Sequence, residues 1–189
     1  MKHIVIFASG SGSNAQQIAE YFTVSGTARV VIIFSNRTDA YVLQRAYKMG
    51  IPTMVFDRCD FYETDLVLSK LQDIHPDLIV LAGFLWKVPE KIVRAFPKRI
   101  INIHPALLPK YGGKGMYGSN VHRAVIENRE KESGITIHYV NENYDEGDII
   151  LQATCKIDEN DTPETLAEKV HALEYKYFPK TIEQVLSRS

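Results

Sequence analysis

The sequence lacks most of the features that mark secreted and membrane proteins. It has 2 cysteines, Cys59 and Cys155, which lie far apart and without CxxC spacing, so no disulfide framework is indicated. No positively charged, apolar leader precedes Ile4. No apolar run approaches the roughly 18 residues that a membrane span needs. These absences lead us to expect a cytoplasmic protein without a membrane partner.

An excess of charge of either sign is also missing. The 22 lysine and arginine residues nearly balance the 23 aspartate and glutamate residues, and the formal net charge is -1 at pH 7. Without a run of like charge, neither nucleic acid nor a membrane surface is an expected partner, and small molecules are favoured. No internal repeat or low-complexity segment divides the 189 residues, so we expect a single domain over 1–189.

What the sequence does have is an alternation of apolar, strand-like runs with segments of helical period. The predicted strands of the first part of the chain are 3–8, 29–36, 53–56, 77–82 and 100–104, and the predicted helices are 15–22, 41–48, 64–74 and 89–96. This order is typical of parallel βαβ units. Strands predicted at 134–140 and 149–154 are joined by a turn, which adds a hairpin. The predicted fold class is α/β: a single-domain, Rossmann-like, doubly wound, mostly parallel sheet with an antiparallel hairpin at its C-terminal edge.

Two further helices are predicted from their end signals. Ser119 or Asn120 should cap a helix that ends at Asn128. The segment 161–164 combines a cap candidate, an early proline and an acidic first turn, which predicts the start of a long helix. Pro179 should break or kink this second helix, because proline cannot donate a backbone hydrogen bond.

The strand at 100–104 carries the strongest candidates for chemistry. Side chains alternate across a strand, so Asn102 and His104 project from one face, and Pro105 should end the strand directly after them. Ligands of open parallel α/β sheets bind outside the carboxyl ends of the strands, which makes this amide and this imidazole catalytic candidates. A single histidine at a strand end is more often a surface or core residue. Leu108-Pro109, a little further on, is predicted to be a cis peptide bond.

The first predicted strand is followed by a glycine-rich turn and a helix. Gly10 and Gly12 let the backbone approach a ligand, and the free N–H groups of the helix start, with the Ser13 and Asn14 side chains, are typical of a phosphate site. The alternative is a tight turn capped by Ser13 or Asn14. The turn also satisfies the G-x-G-x-x-A dinucleotide fingerprint, and Arg37 after the second strand could serve a 2′-phosphate, so an NADP-binding or other nucleotide-binding module is a further alternative.

Four segments in this order and spacing resemble the glycinamide ribonucleotide formyltransferases of purine biosynthesis. They are Ser9-Gly10-Ser11-Gly12-Ser13-Asn14, Ala82-Gly83-Phe84, Asn102-Ile103-His104-Pro105-Ala106-Leu107-Leu108-Pro109 and His138-x6-Asp145-x-Gly147. The resemblance covers nearly the whole chain. It implies transfer of a formyl group from 10-formyltetrahydrofolate, a co-substrate, to the amine of phosphoribosylglycinamide.

By this resemblance Asn102, His104 and Asp145 are the catalytic residues. Asn102 and a protonated His104 would stabilise the oxyanion that forms when the amine attacks the formyl carbon. A nearby Asp145 would raise the His104 pKa and relay a proton. This chemistry requires no metal. The two small-molecule substrates are the expected partners, and the chain is expected to be a monomer or a homodimer.

The resemblance also implies two binding regions. The ribonucleotide would contact Gly12, Ser13, Asn14 and Glu174, although Glu174 fits a solvated helix face equally well. The folate would contact Leu85, Trp86, Lys87, Val88, Asn102, Val140, Asn141 and Tyr144.

The sequence departs from the best-known members at two places, Trp86, where they have arginine, and the long glycine-rich loop 112–118. These departures concern folate contact and loop closure and leave the implied reaction intact. Other formyltransferases that use the same donor, and a hydrolase of that donor, share the catalytic core and are the nearest alternatives. They usually carry another domain, which makes a tRNA partner unexpected here.

Overall fold

The computed structural model describes residues 1–143 and 145–188. The strands within these residues are β1 Lys2–Phe7, β2 Ala28–Ser35, β3 Thr53–Val55, β4 Leu78–Leu81, β5 Ile100–His104, β6 Glu132–Tyr139 and β7 Ile149–Lys156. The helices are α1 Ser13–Ser25, α2 Tyr41–Lys48, α3 Leu66–Ile74, α4 Glu90–Ala95, α5 Ser119–Glu127 and α6 Pro163–Ser187, with a short π-helix at Cys59–Glu63. The π-helix has no counterpart among the predicted elements.

The strands form one sheet in the order β3-β2-β1-β4-β5-β6-β7. Strands β1 to β5 pair in parallel, whereas β6 runs antiparallel to both β5 and β7. This architecture confirms the predicted fold class, including the hairpin at the C-terminal edge. The chain leaves β1 toward one edge and returns to β4 on the other side of β1. The loops after β1 and β4 therefore diverge, and a crevice opens at the carboxyl ends of these two strands.

Two separate apolar layers cover the two faces of the sheet. Ile4 and Ile6 of β1 pack in one layer together with side chains of α1, α2, α5 and α6, whereas Val5 and Phe7 pack in the other with side chains of the π-helix, α3 and α4. Each fully buried aliphatic or aromatic side chain contributes about 1.5–3 kcal/mol. The alternation of buried side chains along β1 thus fixes the register of the central strand between the two helical layers.

The same alternation orients the site strand β5. Ile101 and Ile103 pack in the layer of α1 and α5, and Ile100 packs in the opposite layer. Since side chains alternate along a strand, Asn102 and His104 share a face with each other, as predicted. The strand ends at His104, directly before Pro105.

The long helix α6 begins as predicted but does not end where proline was expected to break it. Thr162 is its N-cap, Pro163 is its first residue, and a capping box joins Thr162 to Thr165. The helix then continues through Pro179 to Ser187. Phe178 is fully buried beside Pro179, and burial of such a side chain offsets much of the roughly 3 kcal/mol that an interior proline costs.

Helix α5 also differs from its prediction at one end. Its N-cap is Gly118, and no side chain caps it, so neither Ser119 nor Asn120 has the predicted capping role. Gly118 has a φ of +54°, a backbone conformation that favours glycine over Ser or Asn. No helix among the described residues is both long enough and apolar enough to cross a membrane.

Candidate active site

A cavity of about 900 Å³ lies at the carboxyl ends of β1, β4 and β5. Its walls are the turn after β1, the segment 81–88 after β4, the end of β5, the glycine-rich loop and the connection between β6 and β7. The predicted residues that it brings together are Gly12, Ser13, Asn14, Leu85, Trp86, Lys87, Val88, Asn102, His104, Val140, Asn141, Asp145 and Glu174. Tyr144, predicted to contact folate, lies outside the described residues. The strand-end argument and the resemblance therefore led to the same cavity.

The three candidate catalytic residues form one cluster through a fourth residue, His138. Nδ1 of His104 lies 3.7 Å from Oδ2 of Asp145. Nε2 of His138 lies 3.6 Å from Oδ1 of Asp145 and 3.1 Å from Nδ2 of Asn102. Nδ1 of His138 lies 2.9 Å from the carbonyl oxygen of Tyr139, to which it can only donate. In a neutral His138 ring Nε2 therefore accepts from Asn102, which leaves the second N–H of the Asn102 amide for a ligand.

The connection between β6 and β7 presents Asp145 to this cluster. Asp145 has a φ of +53°, in the left-handed region that aspartate tolerates better than most residues. Two residues later, a Cβ on Gly147 would lie 1.6 Å from the carbonyl oxygen of Tyr139. Only glycine allows the connection to fold this closely onto β6, which explains the Asp-x-Gly pattern.

The segment that follows β5 is held against β6 by Thr136. The Thr136 hydroxyl donates to the Ala106 carbonyl at 2.7 Å and accepts from the Leu108 N–H at 3.0 Å. The Leu108-Pro109 bond that follows is cis, as predicted. The two hydrogen bonds hold the segment 106–108 against β6.

Burial decides the protonation state of His104. The side chain is only 4% exposed. Burial lowers the pKa of His104, the Asp145 carboxylate and the Tyr111 carbonyl raise it, and the net result is a pKa below 6.5. Asp145 therefore acts in the predicted direction, but desolvation is the larger effect and the net shift is downward. In the free protein burial therefore favours the uncharged form of His104.

Asp145 is held in its ionised form. Burial alone would raise the pKa of Asp145, but the nearby His138 and His104 rings in their protonated forms and the N–H of Gly113 together outweigh it, and the pKa lies below its ordinary value. The Gly113 N–H donates to Oδ2 at 2.9 Å. A carboxylate and a neutral imidazole thus face each other across the cluster.

The turn after β1 has the features of an anion site rather than of a capped turn. The N-cap of α1 is Gly12, with a φ of +74°, and no side chain caps the helix, so the alternative of a cap by Ser13 or Asn14 is wrong. A Cβ on Gly12 would lie 2.3 Å from Cγ2 of Val42, so the turn requires glycine there. Gly12, Ser13 and Asn14 at the start of α1 line the cavity, so the positive end of the helix dipole lies beside it.

Glu174 lies beside this turn and not on a solvated helix face. It is only 6% exposed, and its carboxylate accepts from Nδ2 of Asn14 at 2.8 Å. Burial raises the pKa of Glu174. Oδ1 of Asn14 is buried without a hydrogen-bond partner, which is unusual for a side-chain oxygen and marks a place where a ligand donor would be stabilised.

The opposite end of the cavity is aromatic. Trp86 lies 6.0 Å from Phe56 and 6.1 Å from Phe61, measured between ring centroids, and the Arg58 guanidinium lies 5.0 Å above its ring. The Tyr62 hydroxyl donates to the Lys87 carbonyl at 2.9 Å. This wall suits a flat, conjugated ligand. The tryptophan that replaces the expected arginine therefore belongs to the wall and also packs against the core.

The NADP alternative receives no support from the position of Arg37. Its guanidinium donates to both carboxylate oxygens of Asp39, at 3.0 and 2.8 Å. It lines a shallow depression beyond β2 and β3 and not the cavity that contains the glycine turn. A 2′-phosphate would have to compete with Asp39 for this cation.

Sequence reasoning missed three contributors to the site. His138 appeared only as part of a motif, without a role. His122, in the first turns of α5, lines the cavity at 3% exposure, and its Nδ1 is buried without a partner. The backbone of Tyr111 and Gly113 contacts His104 and Asp145. His122 shares a helical face with the buried Val121 and Val125, which is the pattern of an ordinary core helix, so the sequence carried no signal for it.

Comparison with known proteins points to one family. The sequence matches the formyl transferase family over residues 2–182. It is 43% identical over 187 residues to the chloroplastic phosphoribosylglycinamide formyltransferase of Arabidopsis thaliana, with 96% of this chain and 64% of the relative covered. It is 35% identical over 188 residues to phosphoribosylglycinamide formyltransferase of Escherichia coli (strain K12), with 95% of this chain and 85% of the relative covered.

A solved structure agrees with these relatives. Glycinamide ribonucleotide transformylase 1 from Symbiobacterium toebii matches with a TM-score of 0.89 and 35% identity over 99% of this chain and 88% of that chain. The chain spans less than two thirds of the length of the plant relatives that it matches, 64% in Arabidopsis thaliana and 60% in Vigna unguiculata.

Proposed function

The chain belongs to the formyl transferase family, and we propose that it transfers a formyl group from 10-formyltetrahydrofolate to the amine of phosphoribosylglycinamide, a step of purine biosynthesis. One observation carries the proposal. The Asn102, His104 and Asp145 cluster lines the same cavity as the glycine turn at α1, with Glu174 beside that turn. A phosphate at the turn and a ribose near Glu174 would direct the amine of a ribonucleotide toward the cluster.

The donor supplies the formyl carbon to which the amine adds, and negative charge develops on the formyl oxygen. The free N–H of the Asn102 amide can donate a hydrogen bond to this oxygen. The amide need not reorient for this, because its other N–H is already held by His138. A preorganised donor of this kind lowers a barrier by about 3 kcal/mol.

His104 and Asp145 manage the proton of the attacking amine. The neutral imidazole of His104 takes a proton at Nδ1 as the amine adds, and Asp145, 3.7 Å away, stabilises the imidazolium that forms. The same proton then goes to the departing nitrogen of the folate, so the pair returns to its starting state. The protonated His104 expected from the sequence thus arises during the reaction rather than before it.

The remaining wall of the cavity would hold the donor. Leu85, Trp86, Lys87 and Val88 follow β4, with Val140 and Asn141 opposite them. The flat pterin would lie against this largely apolar surface. The partners proposed are small molecules, no metal enters this chemistry, and the predicted cytoplasmic location and monomeric or dimeric state stay predictions.

The test is formyl transfer that depends on the amine. The protein is mixed with 10-formyltetrahydrofolate, with and without phosphoribosylglycinamide, and release of tetrahydrofolate is followed. We expect release only when the ribonucleotide is present, together with a formylated product. If the folate is deformylated equally fast without the amine, the chain is a hydrolase of the donor and the proposal is wrong.

A further inference from the structure

The segment 111–113 contacts both members of the proton-transfer pair through its backbone. The Tyr111 carbonyl oxygen lies 2.6 Å from Nε2 of His104, and the Gly113 N–H donates to Oδ2 of Asp145. A carbonyl oxygen only accepts, so Nε2 of His104 carries a hydrogen. In the neutral ring the other nitrogen, Nδ1, is then the one without a hydrogen, and it faces Asp145.

Tyr111 is itself held in place from outside the cavity. Its hydroxyl donates to Oε1 of Glu130 at 2.9 Å and accepts from Nδ2 of Asn128 at 3.0 Å. Nζ of Lys110 contacts the same oxygen of Glu130 at 3.0 Å. We call Tyr111, Asn128 and Glu130 the phenol anchor. None of its three members lines the cavity.

The backbone of Tyr111 has a conformation that needs such support. Its φ is +57°, in the left-handed region that costs a residue with a Cβ more than glycine. The neighbouring Gly112 and Gly113 add flexibility on one side. The anchor binds the Tyr111 side chain to the end of α5 and so opposes relaxation of this backbone.

We propose that Tyr111 is a positioning residue for His104: its anchored phenol holds its own carbonyl against Nε2–H, which leaves Nδ1 as the nitrogen that exchanges the proton. The kinetic part of this inference rests on the proposed function, but the choice of nitrogen does not. Three titratable groups face the His104 ring or lie near it, namely Asp145, His138 and His122. None of them contacts Nε2, so the Tyr111 carbonyl holds the hydrogen on Nε2 in competition with the Asp145 carboxylate, which faces Nδ1.

The first test observes the ring directly. The full chain is labelled with ¹⁵N at histidine, and the two nitrogens of His104 are assigned by comparison with His104→Ala. We expect the wild type to carry its hydrogen on Nε2. In Tyr111→Phe, which removes only the anchoring hydroxyl, we expect a mixture of the two neutral forms. The His104 pKa should fall further in this variant, because the Tyr111 carbonyl raises it.

A matched control removes another phenol that donates to a carboxylate. The Tyr21 hydroxyl donates to Glu183 at 2.6 Å, between α1 and α6 and away from the cavity. Tyr21→Phe should leave the His104 signals as in the wild type. Glu130→Ala removes the acceptor of the anchor at a half-buried surface position and should reproduce Tyr111→Phe, so the test remains if Tyr111→Phe does not fold.

The second test is kinetic. In Tyr111→Phe we expect kcat to fall about tenfold, because the variant weakens one neutral hydrogen bond, that between the Tyr111 carbonyl and Nε2–H of His104. Both KM values should stay within about twofold of the wild type. Glu130→Gln keeps an acceptor oxygen and should retain more activity than Glu130→Ala. If the hydrogen stays on Nε2 of His104 and kcat is unchanged in the variant, the inference is overturned. A rise in KM alone would also overturn it, because it would mean that Tyr111 supports substrate contacts. If the wild type transfers no formyl group, the proposed function fails while the ¹⁵N result still decides the role of Tyr111.

Discussion

The burial of His122 gives a prediction whose size follows from the structure. Burial is the main cause that lowers the pKa of His122 from 6.5 to about 4, with smaller contributions from His171 and His104. In the unfolded chain the ring takes up a proton near pH 6.5, whereas the folded protein resists it down to about pH 4. Unfolding therefore binds a proton in this window, and the free energy of unfolding falls as the pH drops.

The expected loss is about 3 kcal/mol below pH 4, of which about 2 kcal/mol is already lost at pH 5. Well above pH 6.5 the ring is neutral in both states and the loss vanishes. His122→Gln cannot titrate and should not show this part of the pH dependence. The comparison should be made by urea unfolding at pH 7 and pH 5, where the packing defect of the variant is the same at both pH values and cancels.

Two features make this experiment decisive. His104 and Glu174 also have shifted pKa values, but they are present in both proteins, so their contributions cancel in the difference. His75→Asn, a change at an exposed histidine before β4, should behave as the wild type. If wild type and His122→Gln lose equal free energy between pH 7 and pH 5, then His122 accepts a proton in the folded state and the argument from burial is refuted.

The other predictions concern the cavity and its support. Asn14→Leu should raise the KM for the ribonucleotide about tenfold while the folate KM changes little, and equal effects on both would reduce Asn14 to a structural role. Asp145→Asn removes the charge that raises the His104 pKa, so the limb of the pH profile of kcat/KM that reports His104 should move to lower pH and the rate should fall. If this limb does not move, the interaction between Asp145 and His104 is contradicted. Gly147→Ala should destabilise the protein by about 3 kcal/mol in urea unfolding and lower kcat, since the new Cβ would overlap Tyr139, and a variant as stable as the wild type would disprove the clash.

The sequence predicted the architecture well because two regular signals coincided. Continuous apolar runs are typical of strands buried on both faces, and the helical periods between them imply parallel crossovers. The same reasoning placed Asn102 and His104 at a strand end, since the carboxyl ends of parallel strands meet at one edge. Of the predicted break or kink at Pro179, the break is wrong, because a local rule about hydrogen bonding does not include the burial of neighbouring Phe178.

Parts of the site were beyond sequence reasoning for a different reason. The contact of Tyr111 with His104 is made by a carbonyl, a group that every residue has, so no residue type announces it. The burial of Glu174 depends on α1 and α6 lying side by side, and a helical pattern alone fits exposure as well as burial. The sign of the His104 pKa shift is a balance between burial and charge, and only the structure gives the sizes of both.

The balance between burial and charge at His104 indicates which reaction the cluster of Asn102, His104 and Asp145 suits. Burial favours the neutral form of His104, and the contacts of Asp145 favour its ionised form, so this pair of groups is suited to accept one proton. An amine that attacks a formyl carbon must lose one proton, and the imidazolium formed when His104 accepts it would be stabilised by the carboxylate 3.7 Å away. A His104 already protonated before the reaction would have no capacity for that proton. The lowered pKa of His104 thus favours a base beside an amine nucleophile over the protonated His104 that the resemblance implied.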